Sequence, residues 1–271
     1  MIGTTLILLP LIGFIIGLLV STIGGGGGAL YVPILTLLGV TPQVAVATSL
    51  ATVLPTTAVG AYSYHQMGDV DVRTGLILGI GGLVGTLIGA YIANMIPPNI
   101  LKEALGLMLL ITAIPMVKRA LEERKKRKAM DKNGETMKQE TLEDKKIVTS
   151  TGPKKVVASL FGVLGGILAG VFGISGTQPV QAGLYTLGLP AMVVIGTTTF
   201  VLIFNSIAGI GGYLMLGRFD LTLIVLLCIG TVVGAFLGPK LLGKVDRATV
   251  ERVVPSVIVL FSVTFGLALI L

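Results

Sequence analysis

The apolar sequence of this chain is interrupted near its start by Gly24-Gly25-Gly26-Gly27-Gly28, which follows the run Leu6–Ile23 and precedes the short run Ala29–Leu38. A second interruption, Gly173-Ile174-Ser175-Gly176-Thr177, precedes the short run Val180–Leu187. A helix needs about 20 apolar residues to cross the hydrocarbon of a bilayer, and neither short run is that long. We therefore predict a discontinuous membrane helix at each interruption.

The composition of the chain is that of a membrane protein. Of the 271 residues, 53% are hydrophobic and only 12% are charged, and the mean hydropathy is +0.95. A soluble domain is about a quarter charged, so soluble enzymes, nucleic-acid binders and secreted disulfide scaffolds are excluded. Cys228 is the only cysteine and His65 the only histidine, which excludes disulfides, thiolate metal sites and a histidine-rich metal centre. We expect no metal and no cofactor.

Further apolar runs predict an all-α polytopic membrane protein with about 8–10 membrane segments. These runs are Val44–Tyr64, Leu76–Ile96, Leu101–Val117, Val156–Phe172, Val193–Leu216, Leu221–Leu242 and Val253–Leu271. Between them, the segment Lys118–Lys155 holds 13 of the 20 Lys and Arg residues. We interpret this segment as a cytoplasmic connector that obeys the positive-inside rule, with a lipid- or nucleic-acid-binding patch as the alternative.

An internal repeat organises the chain, because a shift of 149 residues superimposes its halves without a gap. The matched pairs include Gly17 and Gly166, Gly24 and Gly173, Thr48 and Thr197, Tyr64 and Tyr213, and Asp71 and Asp220. We predict membrane repeat 1 over residues 1–118, a charged connector over 119–153 and membrane repeat 2 over 154–271.

The distribution of Lys and Arg indicates inverted repeats, since equivalent loops differ in charge only when they face opposite sides of the membrane. Tyr91–Glu103 contains one basic residue, whereas its counterpart Lys240–Arg252 contains four. Inversion requires an odd number of crossings in each repeat: five, or three with a re-entrant hairpin at the glycines. Both termini are then expected outside, and the alternative is eight helices in two parallel sets of four.

The glycine interruptions are the predicted binding site. Backbone that leaves a helix at membrane depth is tolerated only inside protein or beside a water-filled cavity. Each short helix then begins with free N–H groups and the positive end of its dipole, which suits an anion. Glycines elsewhere, such as Gly81, Gly85 and Gly89, are expected to allow close helix packing.

Hydroxyl and amide side chains cluster on the helix after each short run. They are Thr48, Ser49, Thr52, Thr56 and Thr57 in the first half, and Thr197, Thr198, Thr199, Asn205 and Ser206 in the second. A single hydroxyl in a membrane helix usually bonds its own backbone, whereas Gln178 and Asn205 are expected to be buried against a partner or cavity. The predicted substrate-binding residues are Gly24, Gly25, Gly26, Gly27, Thr48, Ser49, Ser175, Gly176, Thr177, Gln178, Thr197, Thr198 and Asn205.

The repeated order of a Gly-rich break, a short helix, a Leu-Gly turn and a hydroxyl-rich helix that ends near Gly68 or Gly217 resembles the TauE/SafE family of membrane permeases. The resemblance covers nearly the whole chain except Lys118–Gly152. It implies export of sulfite or a related small sulfur-containing anion. The long charged connector departs from the family's pattern.

The sequence is therefore expected to encode a secondary transporter and not an enzyme, a multi-pass protein of the cytoplasmic membrane that moves a small anion by alternating access. It contains no nucleotide-binding P-loop. The expected partners are the anion and the lipid bilayer, with no nucleic acid, and a homo-oligomer is compatible with the sequence. An anion channel is one alternative.

A second alternative is an intramembrane serine protease of rhomboid-like chemistry, because Gly173-Ile174-Ser175-Gly176 has the form of that nucleophile motif. Serine chemistry needs a base within hydrogen-bond reach, and His65 lies in the other repeat. His65 is also a candidate for proton coupling, since imidazole exchanges protons near neutral pH. An interfacial position at a helix end is the alternative for this residue.

Overall fold

The described part of the chain is helical. The computed structural model describes residues 3–20, 27–114, 153–174, 176–242 and 247–271, so the predicted connector lies outside it except for Pro153. In chain order the helices are α1 (Gly3–Val20), α2 (Gly28–Leu37), α3 (Pro42–Gln66), α4 (Val72–Met95), α5 (98–114), α6 (Pro153–Phe172), α7 (Thr177–Thr186), α8 (Ala191–Met215), α9 (Leu221–Leu242) and α10 (Arg247–Ile270). The described residues contain no strand, and the predicted all-α fold is confirmed.

Three helices in the described residues are long and apolar enough to cross a membrane, namely α3, α4 and the part of α8 from Met192 to Met215. On α4 the side chains of Ile80, Val84 and Ile88 are exposed. These residues are four apart and lie on one side of the helix, as expected for a surface that contacts lipid. The chain is an integral membrane protein. Helices α2 and α7 have 10 residues each and are too short to cross a bilayer, as the sequence predicts.

Glycines bring α4 and α6 into backbone contact. A Cβ atom at Gly85 would meet the carbonyl oxygen of Val163, one at Gly89 would meet that of Ile167, and one at Gly81 would lie 3.1 Å from that of Ser159. Small residues at such contacts let helix backbones approach closely in membranes. The predicted packing role of these three glycines is confirmed, and the steady increase in both residue numbers shows that α4 and α6 run parallel.

The pair α1 and α9 repeats this arrangement. A Cβ atom at Gly13 would lie 2.5 Å from the Leu227 carbonyl oxygen, and its counterpart 149 residues later, Gly162, would lie 2.5 Å from that of Leu78. The helix bounds agree with the same shift, because α2 begins at Gly28 and α7 at Thr177, and both have 10 residues. These agreements are what the repeat predicts, and the homology of the two halves stays a prediction.

Helix α3 crosses its counterpart α8 in the opposite direction. A Cβ atom at Gly60 would lie 3.1 Å from Thr199 Cγ2, and one at Gly209 would meet the Leu50 side chain. One residue number therefore falls along the contact while the other rises. Parallel repeats would give counterpart helices the same direction, so this crossing agrees with inversion. The orientation of each half in the membrane stays a prediction.

Candidate functional site

The second glycine interruption is a tight turn between α6 and α7. Gly173 and Gly176 have φ angles of 68° and 65°, in the left-handed region that favours glycine. A Cβ atom at Gly176 would meet the backbone of Gly165, and one at Gly183 would lie 2.7 Å from Phe161 Cβ. Helix α7 therefore returns along α6 as a hairpin. Ser175 lies outside the described residues.

The first interruption is described only at its end. Gly27, the residue before α2, has a φ of 67°, which matches the conformation of Gly176 before α7. Neither short helix has a side-chain hydrogen bond from its N-cap residue. The predicted site residues Gly24, Gly25 and Gly26 lie outside the described residues, so convergence of the two interruptions stays a prediction.

Gln178 is exposed in the structure, so the prediction that this side chain is buried is wrong. The reason is its position on α7. The buried residues of this helix are Val180, Gly183 and Leu184, and successive residues of a helix are rotated by about 100°. Gln178 is at least about 120° away from each of them. Thr177, beside it, is half-buried.

Helix α3 holds the second interruption in place. The Ser49 hydroxyl donates a hydrogen bond of 3.1 Å to the Gly173 carbonyl oxygen. A Cβ atom at Gly173 would lie 2.7 Å from Val32 Cγ2 and 3.2 Å from Val46 Cα. The structure thus joins one predicted hydroxyl of the first half to the interruption of the second. The Ser49 hydroxyl is therefore used for a contact within the protein.

Thr197 contacts the turn between α3 and α4. Its hydroxyl oxygen accepts a hydrogen bond of 3.0 Å from the Asp71 N–H group. The Asp71 carboxylate in turn caps α4, because it accepts from the Thr74 N–H at 3.0 Å and from the Thr74 hydroxyl at 2.6 Å. Thr197, a predicted site residue, is therefore hydrogen-bonded to the turn between α3 and α4.

Three fully buried hydroxyls have no hydrogen-bond partner in the described part of the chain. They are those of Thr48, Thr198 and Ser206. Their neighbours Thr52, Thr57 and Thr199 donate to carbonyl oxygens of their own helices, as predicted for such side chains. A buried hydroxyl that finds no partner costs about 1–3 kcal/mol. The three exceptions therefore mark places where a bound ligand would supply the missing hydrogen bond.

Where α3 and α8 cross, Ser206 lies on the side of α8 that faces α3, and Thr57 lies on the side of α3 that faces α8. Ser206 lies seven residues after Thr199, which contacts α3, and two helical turns keep a residue on the same face. Thr57 lies seven residues after Leu50, which contacts α8. The sequence identifies both as hydroxyls at matched positions but does not select them for the site, because residue type does not show which face of a helix meets its partner.

Asn205 is fully buried, as predicted. Its Oδ1 atom occupies the space that a Cβ atom at Gly82 would need, so the amide lies between α8 and α4. This places Asn205 on a different face from Ser206.

His65 is exposed on the last turn of α3. It lies 16 residues beyond Ser49, which is about 24 Å along a helix. Because Ser49 contacts Gly173, this distance separates the histidine from the Gly173–Gly176 motif. His65 is therefore not within hydrogen-bond reach of Gly173 or Gly176, and the role of this histidine in proton coupling stays a prediction.

Comparison with known proteins identifies the family. Residues 9–265 match the family described as "Sulfite exporter TauE/SafE". The chain is 32% identical to the "Probable membrane transporter protein YdhB" of Bacillus subtilis (strain 168), over 91% of this chain and 94% of that protein. It is 27% identical to the "Probable membrane transporter protein YunE" of the same organism, over 94% of each. No solved structure matches significantly. With a helical membrane fold and a family match over almost its full length, the chain belongs to the TauE/SafE family of membrane transporters.

Proposed function

We propose that this transporter moves a small anion, sulfite or a related sulfur oxyanion or organosulfonate, across the cytoplasmic membrane by alternating access. The observation that carries the proposal is the set of three buried hydroxyls without a partner in the described part of the chain, Thr48, Thr198 and Ser206. They lie at different depths along the two crossing helices, so the anion would contact them in turn along its path. The family description supports the choice of sulfite.

The chemistry of these groups suits a weakly held anion. Hydroxyl and N–H donors can replace the water that an anion loses on entering the protein, without a fixed positive charge. Helices α2, α3, α7 and α8 contain no Lys or Arg. A site built from dipoles alone binds reversibly, as transport requires. We propose that the N–H groups at the starts of α2 and α7 complete it.

The proposed function predicts uptake of a sulfur oxyanion by liposomes that contain the purified protein. Sulfite, sulfate, thiosulfate and a sulfonate are each tested under a pH gradient and under an opposing gradient of the same anion. We expect saturable uptake of at least one anion and acceleration by the same anion inside, because a transporter exchanges its substrate. Protein-free liposomes are the control. Uptake of none of the four anions would contradict the proposal, and uptake without saturation or exchange would favour a channel.

The proposed site predicts that Ser206→Ala and Thr198→Val weaken transport. Each removes a hydroxyl that has no partner in the described part of the chain. The two lie eight residues, about 12 Å, apart on α8, so each would contact the anion at a different point of its path. The loss of one hydrogen bond, about 1–1.4 kcal/mol, should raise KM about 5–10-fold. Thr264→Val is the matched control, because the Thr264 hydroxyl is exposed and bonds only its own helix, at Leu260 and Phe261. An unchanged KM in both site variants would move the binding site away from the crossing of α3 and α8.

A further inference from the structure

The turn between α3 and α4 is docked on the first part of α8. A Cβ atom at Gly196 would meet the Asp69 carbonyl oxygen and would lie 3.0 Å from Tyr64 Cβ. Next to it, the Asp71 N–H donates to the Thr197 hydroxyl. We refer to residues 67–71 as the docked turn. Only glycine at position 196 leaves room for the backbone of the docked turn to come this close to α8.

The docked turn lies at the connector end of the bundle. It leads directly into α4, which begins at Val72 and runs parallel to α6. Helix α6 begins at Pro153, the last residue of the predicted connector. The start of α8, where Gly196 lies, is at the same end, because α8 crosses α3 in the opposite direction.

The equivalent hydrogen bond at the other end of the bundle is absent from the described residues. The turn between α8 and α9 has the same internal structure, since Asp220 Oδ1 accepts from the Leu223 N–H at 3.2 Å just as Asp71 accepts from that of Thr74. By the 149-residue shift its partner on α3 would be Thr48, the counterpart of Thr197. The Thr48 hydroxyl is buried and has no hydrogen-bond partner among the residues that the structure describes.

The two ends differ in sequence by a single methyl group at the matched position. The counterpart of Gly196 is Ala47, which is fully buried. A Cβ atom at this position occupies the space that a turn backbone takes at Gly196. The backbone contact at the connector end is therefore close. At the opposite end Leu216 and Phe219 pack against the core cluster that includes Ala47, but the Ala47 Cβ would keep the backbone of that turn from approaching α3 as closely as residue 69 approaches Gly196.

We propose that the docked turn is the closed gate at the connector end, and that the pair Gly196 and Ala47 biases the resting transporter towards this closed state. The inference rests on the proposed alternating access. In the opposite state the turn leaves Gly196 and Thr197, and the turn before α9 approaches Ala47 and Thr48. In each state one of these threonine hydroxyls holds a turn while the other is available to the anion.

The gate is tested by two distances measured by electron spin resonance in a Cys228→Ala background, in lipid nanodiscs without substrate. One pair of spin labels, at Met67 and Met192, reports on the connector end, and a second pair, at Thr41 and Met215, reports on the opposite end. All four positions are exposed. Because no substrate is present, failure of the gate is distinguishable from failure of anion uptake in liposomes, which is measured separately.

We expect Gly196→Ala to lengthen the first distance and shorten the second, because the added Cβ displaces the docked turn. Thr197→Val removes one hydrogen bond and should increase the population with the longer first distance about fivefold. Ala47→Gly should produce the same shift from the other end without touching the docked turn. Gly211→Ala is the control on α8, since a Cβ at Gly211 has no atom within 4 Å.

Opposite changes of the two distances in Gly196→Ala, with no change in Gly211→Ala, would support the gate. Unchanged distances in a folded Gly196→Ala protein would overturn it. Lengthening at the connector end without shortening at the opposite end would also overturn it, because the two contacts would then be independent. Ala47→Gly keeps the test decisive if Gly196→Ala does not fold, since an unchanged second distance in that variant rejects the proposed bias.

Discussion

Gly166→Ala is expected to destabilise the protein by at least about 1–3 kcal/mol, because it forces α4 and α6 apart. A Cβ atom at Gly166 would meet the Gly82 carbonyl oxygen and would lie 2.8 Å from the Gly82 carbonyl carbon. These are backbone atoms and cannot rotate away as the end of a flexible side chain does. The contact is one of several along the two helices, so a local shift must move the whole helix.

The measurement is the midpoint of thermal unfolding of the purified protein in detergent. Gly211→Ala is the matched control, because both glycines are helical and only Gly166 lacks space for a methyl group. Alanine is a better helix former than glycine by up to about 1 kcal/mol, so Gly211→Ala should raise the midpoint slightly. Equal midpoints for the two variants would show that the contact between α4 and α6 tolerates separation.

Gly176→Ala is expected to abolish most transport, with a loss of more than about tenfold, by displacing the start of α7. Two effects add at this position. The φ of 65° disfavours a side chain by roughly 1–2 kcal/mol. The new Cβ would also meet the backbone of Gly165, so α7 must move away from α6 and take its first N–H groups with it.

Gly188→Ala separates these two effects. Gly188 has a φ of 78°, but a Cβ there has no atom within 4 Å. It should therefore show the backbone strain without displacement of α7, and it should retain most of its transport. Uptake is measured in liposomes and normalised to the amount of folded, inserted protein. Similar uptake by the two variants would indicate that the position of α7 does not matter for the anion.

The fold was predictable because a bilayer imposes simple constraints on sequence. Lengths of apolar runs predicted that α2 and α7 are too short to cross a bilayer, and the structure gives each 10 residues. The register of 149 residues anticipated the agreement between helix bounds. Composition alone predicted an integral membrane protein, since 12% charged residues cannot cover a water-facing surface.

The site was less predictable because residue type does not reveal which helix face meets a partner. Gln178 is exposed although its polarity suggested a buried partner. Thr197 has the chemistry of a ligand, yet the Asp71 N–H occupies its hydroxyl oxygen. Ser206 was one hydroxyl among several until the crossing of α3 and α8 placed it, unpartnered, in that interface.

The sequence by itself determined the membrane class, the helix lengths and the family pattern, because these follow from local composition and from spacing along one chain. Only the tertiary structure decided which hydroxyls lack a partner among the described residues, which glycines touch backbone and which of two matching turns is hydrogen-bonded to a threonine of the facing helix. Gly196 and Ala47 show the physical reason. They differ by one methyl group, and that difference has a consequence only where another segment of the chain comes into contact with the same helix.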